Sequence, residues 1–447
     1  MSLQGSTSPA GGPGIEFEEA ESFAISLDAD DPLSSFRDRF ELPSGPHGEP
    51  RVYLVGNSLG PLPRAARDAV GRVLDTWSRE GVDGWFVPPD PWYGLDERFL
   101  ETLAGLTGAR PYEVAVMNGL TVNLHLLLAT FFTPSGERTK ILIESPCFPS
   151  DRFVVETQLR WHGLDPEAHL IEVDAESGAG LIEEERFERI LSSRGHEIAL
   201  FLLGGVNFLT GQRFDLERLA AASRSAGVPF GVDLAHGFAN VPLQLHEWQV
   251  DFAAWCHYKY GNAGPGAPAG LFVHERHLAG EPLPRLGGWW GNDPSTRFRM
   301  QLDPEFVPRA DAAGWQLSCP SALAMAPLGP ALALLAEAGP RRLREKSLRL
   351  TGYLEWLIDR WLPESSSEAS WELLTPRDPE RRGAQLSLRI PRGALAVQDR
   401  LQAEHVISDF REPDVIRLAP SPLFNSYLDV WRAAAALRDA LGSSTDG

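Results

Sequence analysis

Asp251-Phe-Ala-Ala-Trp-Cys-His-Tyr-Lys-Tyr-Gly-Asn-Ala-Gly-Pro-Gly-Ala-Pro-Ala-Gly270 sets one lysine, Lys259, between two tyrosines, behind an apolar strand-like run and ahead of a glycine-rich loop. A lysine beside apolar sequence is expensive, because its charge resists leaving water. The cost makes sense where the amine is held as a Schiff base or with a lowered pKa. The bland alternative is a surface lysine in a loop. Upstream, Val228-Pro-Phe-Gly-Val-Asp-Leu-Ala-His236 reads as a buried strand ending in Asp233, with His236 just past its end. An aspartate at a strand end, followed by a lysine one crossover later, is the pairing that a pyridoxal phosphate (PLP) site needs. The carboxylate keeps the pyridine nitrogen protonated and the lysine carries the aldehyde.

Outward from these segments, strands and helices alternate. Strands are expected at 140–144, 168–173, 197–203, 228–233, 252–256 and 270–274, and helices at 64–80, 121–132 and 215–226. That alternation implies a mostly parallel sheet covered by helices. Beyond Pro320 the character changes to a long helical stretch at 322–361, short strands near 372–374 and 385–390, and a final helix at 425–441. The expected organisation is a disordered arm at 1–20, an N-terminal segment at 21–65 packing on the small domain, a large domain at 66–320 and a smaller α+β domain at 321–447.

Composition narrows the partners. With 41 basic and 61 acidic residues, the formal charge of −20 argues against nucleic acid and anionic membrane. Three cysteines (Cys147, Cys256, Cys319) with no C-x-x-C pair give neither a disulfide framework nor a zinc site, so no metal is expected. No apolar run approaches membrane-spanning length and no signal pattern opens the chain, so a cytoplasmic protein is expected.

Around Lys259 and Asp233 further words stand in order: Gly56-Asn-Ser-Leu-Gly60, Asn118-Gly-Leu-Thr-Val-Asn-Leu-His125, Phe148-Pro-Ser-Asp151, Asp233-Leu-Ala-His236, Trp255-Cys-His-Tyr-Lys-Tyr260 and Ile416-Arg-Leu-Ala-Pro420. Together they resemble the kynureninases, in that family's order from about residue 50 to 440. The resemblance implies PLP fold type I, an α/β class with a mostly parallel seven-stranded sheet in a large domain and a smaller α+β C-terminal domain. It also implies a cytoplasmic homodimer with shared active sites. The implied activity is that of a hydrolase acting on carbon–carbon bonds. It splits the Cβ–Cγ bond of kynurenine, or its 3-hydroxy form, to alanine and an anthranilate in tryptophan breakdown.

It assigns roles residue by residue. Lys259 would hold the cofactor and then take the substrate's α-proton, and Tyr258 would donate to the phosphate and in the cleavage step. Asp233 would pair with the pyridine nitrogen, His236 would sit beside the cofactor, and Phe148 would stack on its ring. Thr121 and the Leu120 amide would bind the phosphate at a helix N-terminus, and Ser150 and Asp151 would line the pocket. Trp289, in Gly287-Gly-Trp-Trp-Gly291, would reach the phosphate from the partner subunit. Arg417 would clamp the substrate carboxylate, since an arginine in an apolar strand is otherwise an odd buried charge. Asn57 and Ser58 would line the substrate loop.

The chain departs from the family at several positions. Trp85 replaces a histidine found in some members, and Cys319 stands where asparagine often occurs between serine and proline. Both changes remove hydrogen-bonding groups, so a preference for kynurenine over its 3-hydroxy form is expected. Gly204 replaces a serine, while His257, read as a surface replacement, and Gly261 replace serine and leucine beside the lysine. These leave a paralogue acting on a modified kynurenine as one alternative. A cysteine desulfurase-like lyase using Cys319 is another, but Phe148 stands where desulfurases stack a histidine. An inactive regulatory relative is a third, disfavoured by intact Lys259, Asp233, Tyr258 and Arg417. The run Gly264-Pro-Gly-Ala-Pro-Ala-Gly270 is no dinucleotide loop, since it opens no helix after a first strand.

Overall fold

The computed structural model describes residues 16–442 apart from 46, 50, 176–179, 280–282 and 363–370. Contacts divide the chain into two compact units. The larger spans Leu62–Phe208 and Arg213–Glu337; the smaller comprises the chain up to Pro61, Leu209–Gln212 and Ala338 onwards.

The larger unit is built on a seven-stranded sheet of β1 (Val114–Met117), β2 (Lys140–Glu144), β3 (Leu170–Val173), β4 (Ile198–Gly204), β5 (Phe230–Asp233), β6 (Phe252–Trp255) and β7 (Ala269–Val273). Their order across the sheet is β1-β7-β6-β5-β4-β2-β3. Only β7 runs antiparallel to its neighbours, pairing β1 and β6; the other pairs are parallel. Strands such as Phe-Ala-Ala-Trp of β6 are buried along their whole length, which fits a sheet covered on both faces. Helices α1 (Arg64–Glu80), α2 (Leu120–Phe131), α3 (Pro149–Trp161) and α4 (Leu216–Ser225) belong to this unit. Leu124, Leu127, Leu128 and Phe131 of α2 join Val154, Leu200, Phe252 and Leu271 in one core, where the Phe131 and Phe252 rings stack at 4.7 Å. Each such side chain contributes about 1.5–3 kcal/mol of burial. Parallel strands all end on one edge, so Glu144, Gly204 and Asp233 finish β2, β4 and β5 side by side.

In the smaller unit, α5 (Pro340–Trp361) and α6 (Tyr427–Gly442) share a core with an antiparallel sheet. Its strands are β8 (Glu372–Leu373), β9 (Leu386–Arg389), β10 (Asp409–Arg411) and β11 (Val415–Leu418), ordered β8-β9-β11-β10.

Three expectations need correction. The C-terminal part of the smaller unit starts at Ala338 rather than at 321. The long helix expected over 322–361 is three helices, Ala322–Met325, Leu328–Ala338 and Pro340–Trp361. Gly339, at φ 79, and Pro340 end the second and start the third, since proline cannot continue a helix but suits its first turn. The arm expected at 1–20 lies outside the described residues as far as residue 15. Residues 16–20 are ordered: Phe17 packs on Tyr353 and Trp356, and Glu19 accepts from Arg360 and Trp361. An apolar ring with aromatic neighbours overrides a composition that reads as disorder.

Candidate active site

Asp233 ends β5 buried, its Oδ1 accepting the Ala235 N–H at 2.6 Å. Lys259 follows β6 in a turn closed by the Asn262 N–H on the Lys259 carbonyl at 3.0 Å. Its side chain is buried, with Nζ 3.1 Å from Nε2 of His236 and 5.7 Å from the centre of the Phe148 ring. Phe148 caps the N-terminus of α3, whose first turn supplies Ser150 and Asp151. The Asp151 carboxyl hydrogen-bonds Asp233 and is held well above the usual carboxylate range, first by burial and then by Asp233 beside it. Two buried acids in contact cannot both stay ionised without a cation or donor nearby. Asp151 Oδ1 has no hydrogen-bond partner here.

The start of α2 could hold an anion. Asn118, at φ 47, turns the chain out of β1, and Gly119 caps the helix in extended backbone with no side chain to bond the first N–H groups. The first amides of a helix lack internal acceptors, and its dipole favours an anion there. Thr121 Oγ1 lies 3.0 Å from Ser150 Oγ, which joins the α2 and α3 starts. Tyr258 is half-buried beside Cys256; burial, then the Cys256 neighbourhood, pushes its phenol above the ordinary range. These residues fit PLP: a buried acid pair short of a donor, an amine near an aromatic ring, and a bare helix N-terminus.

The remaining candidates are described by their own neighbours. Trp85 stands edge-on to Trp92 at 5.7 Å and tilted to Trp290 at 6.2 Å, and Trp289 stands edge-on to the same Trp290 at 5.0 Å. Cys319 is a half-buried free thiol of the larger unit. Asn57, Ser58 and Arg417 belong to the smaller unit. There Asn57 donates to Gln385 Oε1 at 2.8 Å, and the Ser58 N–H bonds the Val55 carbonyl. Arg417, almost fully buried, pairs through Nε at 3.0 Å and Nη2 at 2.8 Å with Asp409. Its burial therefore has a protein counter-ion, which sequence reading missed because the two residues meet only across the β10–β11 ladder.

His257 is corrected outright: it is fully buried, not a surface replacement. Its Nδ1 lies 2.6 Å from the Pro268 carbonyl, and its Nε2 accepts the Trp255 indole N–H at 2.8 Å. Gly261 is required by close approach, since a Cβ there would lie 2.4 Å from the His257 carbonyl oxygen. Glu144 was not singled out from sequence, although a charge closing the apolar run Lys140-Ile-Leu-Ile was a usable signal.

Comparison with known proteins adds identity to this geometry. The Aminotransferase class-V model matches residues 97–359 and the Kynureninase C-terminal domain model matches 343–437. A kynureninase from Koribacter versatilis is 47% identical over 93% of this chain and 96% of the relative. One from Xanthomonas euvesicatoria is 50% identical over 91% and 95%, and one from Salinispora tropica 48% over 94% and 97%. Among solved structures, a C-DES mutant with glycine covalently linked to its PLP cofactor aligns with a TM-score of 0.74 at 18% identity, covering 90% of this chain and 99% of that one. The cysteine desulfurase CsdA from Escherichia coli gives 0.72 at 17% identity over 93% and 98%, a likeness of fold alone. On these alignments the chain belongs to the kynureninase family, within the PLP fold-type I enzymes.

Proposed function

We infer that this chain hydrolyses the Cβ–Cγ bond of L-kynurenine to an anthranilate and L-alanine, with PLP as cofactor, as a step of tryptophan catabolism. The observation that carries the reading is the buried Lys259 amine beside His236 and Phe148, with the Asp151–Asp233 pair, in a chain of this family. PLP supplies the electron sink that makes carbanions next to the substrate nitrogen tolerable.

The chain's own residues bind, orient and move protons. Asp233 would keep the ring nitrogen protonated, and Thr121 with the Leu120 amide would hold the phosphate, with Ser150 beside them. Lys259 takes the α-proton. Tyr258, whose phenol stays protonated because burial raises it, gives a proton at the leaving side. Arg417, kept in place by Asp409, binds the substrate carboxylate, and Asn57 and Ser58 line its approach. Trp85 would stack on the aromatic ring, and Cys319 would give a ring hydroxyl no strong partner. The form we propose is a cytoplasmic homodimer in which Trp289 serves the partner's site; the location rests on the resemblance alone.

L-kynurenine added to the purified protein should produce growing anthranilate fluorescence, with a higher kcat/KM than for the 3-hydroxylated substrate. Absence of anthranilate from a protein carrying PLP overturns the function. A clear advantage for the hydroxylated substrate overturns only the preference assigned to Trp85 and Cys319.

A further inference from the structure

Glu144 closes β2 with its carboxyl buried, although the rest of that strand is apolar after Lys140. Its Oε1 accepts the Gly204 N–H at 3.0 Å. Gly204 ends β4 and stands in register with Asp233 on β5, so Glu144 comes toward the cofactor acid from two strands away. Glycine is needed for that approach, because a Cβ at 204 would lie 2.8 Å from Glu144 Oε1. The serine that the resemblance leads one to expect at 204 would force the carboxyl aside. Glu144, Asp151 and Asp233 are 3%, 6% and 6% exposed, and Asp151 Oδ1 has no partner in this pocket. Two buried carboxyls at strand ends and a third in the first turn of α3 form an acidic cluster that a protonated ring would suit.

We propose that Glu144 is a positioning residue for the cofactor: fixed by the Gly204 N–H, it adds a third carboxyl to the Asp151–Asp233 pair and strengthens their hold on a cationic ring. This rests on the reading of the site as a PLP pocket.

The groups facing Glu144 are Asp233 from β5, Asp151 from α3 and the Cys147 thiol between β2 and α3. Burial, with the Asp233 charge adding, pushes the Glu144 carboxyl up to about 7. It is therefore neutral well below pH 7 and charged well above, so its help to a cation grows as pH rises.

The experiment is equilibrium dialysis of PLP from the full-length chain at pH 6 and pH 8.5. Glu144→Gln keeps an acceptor for the Gly204 N–H and removes the charge. Its dissociation constant should match the wild type at pH 6 and exceed it about tenfold at pH 8.5, the effect of one lost charge acting on the cation by about one pKa unit. A ratio independent of pH, whether one or larger, overturns the proposal, since a packing defect would not follow the titration. Gly204→Ala, which displaces the carboxyl, should weaken PLP with the same pH dependence, and serves if the glutamine variant does not fold. Affinity equal to the wild type's at both pH values in that variant also overturns it. A wild type that takes up no PLP at either pH sinks the cofactor reading itself, and this inference with it.

Discussion

His257 sits two residues from Lys259 and yet belongs to the core. Simple alternation would put positions 257 and 259 on one side, but β6 ends at Trp255 and the chain then turns. The imidazole sits between the Trp255 indole and the Pro268 carbonyl, so its neutral form is fixed with Nδ1 as donor. Burial lowers its pKa from 6.5 to about 4. With the folded value below the unfolded one, the unfolded chain binds the extra proton between those pH values. Stability from this group is complete above pH 6.5 and is lost as pH falls toward 4, by about 3 kcal/mol in total. Thermal midpoints across that range should fall more for the wild type than for His257→Gln, which cannot take the proton. Parallel losses would show that His257 does not titrate on unfolding. Lys259 and Asp233 were legible in the sequence because a charge in an apolar run stands out. Partners set by folding were not: the acceptor for Trp255, the Asp409 facing Arg417 and the Gly204 facing Glu144 come from other strands or turns.

At the scale of elements, the expected strands at 140–144 and 252–256 correspond closely to β2 and β6, because continuous apolar runs flanked by turns leave little choice. Strand β1, Val-Ala-Val-Met, was missed: four residues with no alternation do not separate from the helix that follows. Its place matters, since the β1–α2 turn is where the phosphate is proposed to bind, and Asn118 there adopts the left-handed backbone that asparagine tolerates. The turn after β6 has an equally tight requirement. At Gly261 a methyl group would press on the His257 carbonyl at 2.4 Å and on Phe238 at 3.1 Å. The turn must then shift, and Lys259 shifts with it. Gly261→Ala should lower kcat about 10–100-fold through misplacement of the amine, with far-ultraviolet circular dichroism unchanged. Wild-type turnover in that variant would mean that the turn yields without moving the lysine.

For the whole molecule, the sequence separates a sheet unit from a smaller α+β unit, and what it misplaces is the junction, because helix Leu328–Ala338 belongs with the sheet. The surface of the larger unit carries a second message. Leu286, Phe298, Leu302 and Val307 are 58%, 57%, 68% and 46% exposed, on the segment that also holds Trp289. Exposed apolar side chains gathered on one stretch are what the proposed dimer would cover. In a two-fold dimer, whatever Trp289 gives to the partner's site it also receives in return. That reciprocity makes the shared site testable by mixing. Lys259→Ala leaves a subunit without its amine, and Trp289→Ala one without its indole. If Trp289 serves the partner, a mixed dimer has one site in which both residues are native, and one in which both are lost. Random reassortment makes half the dimers mixed, so unfolding and refolding the two inactive proteins together should restore about a quarter of wild-type turnover. If Trp289 serves its own subunit, no dimer contains an intact site. Activity would then stay at the sum of the separate variants, and the shared site would have to be abandoned.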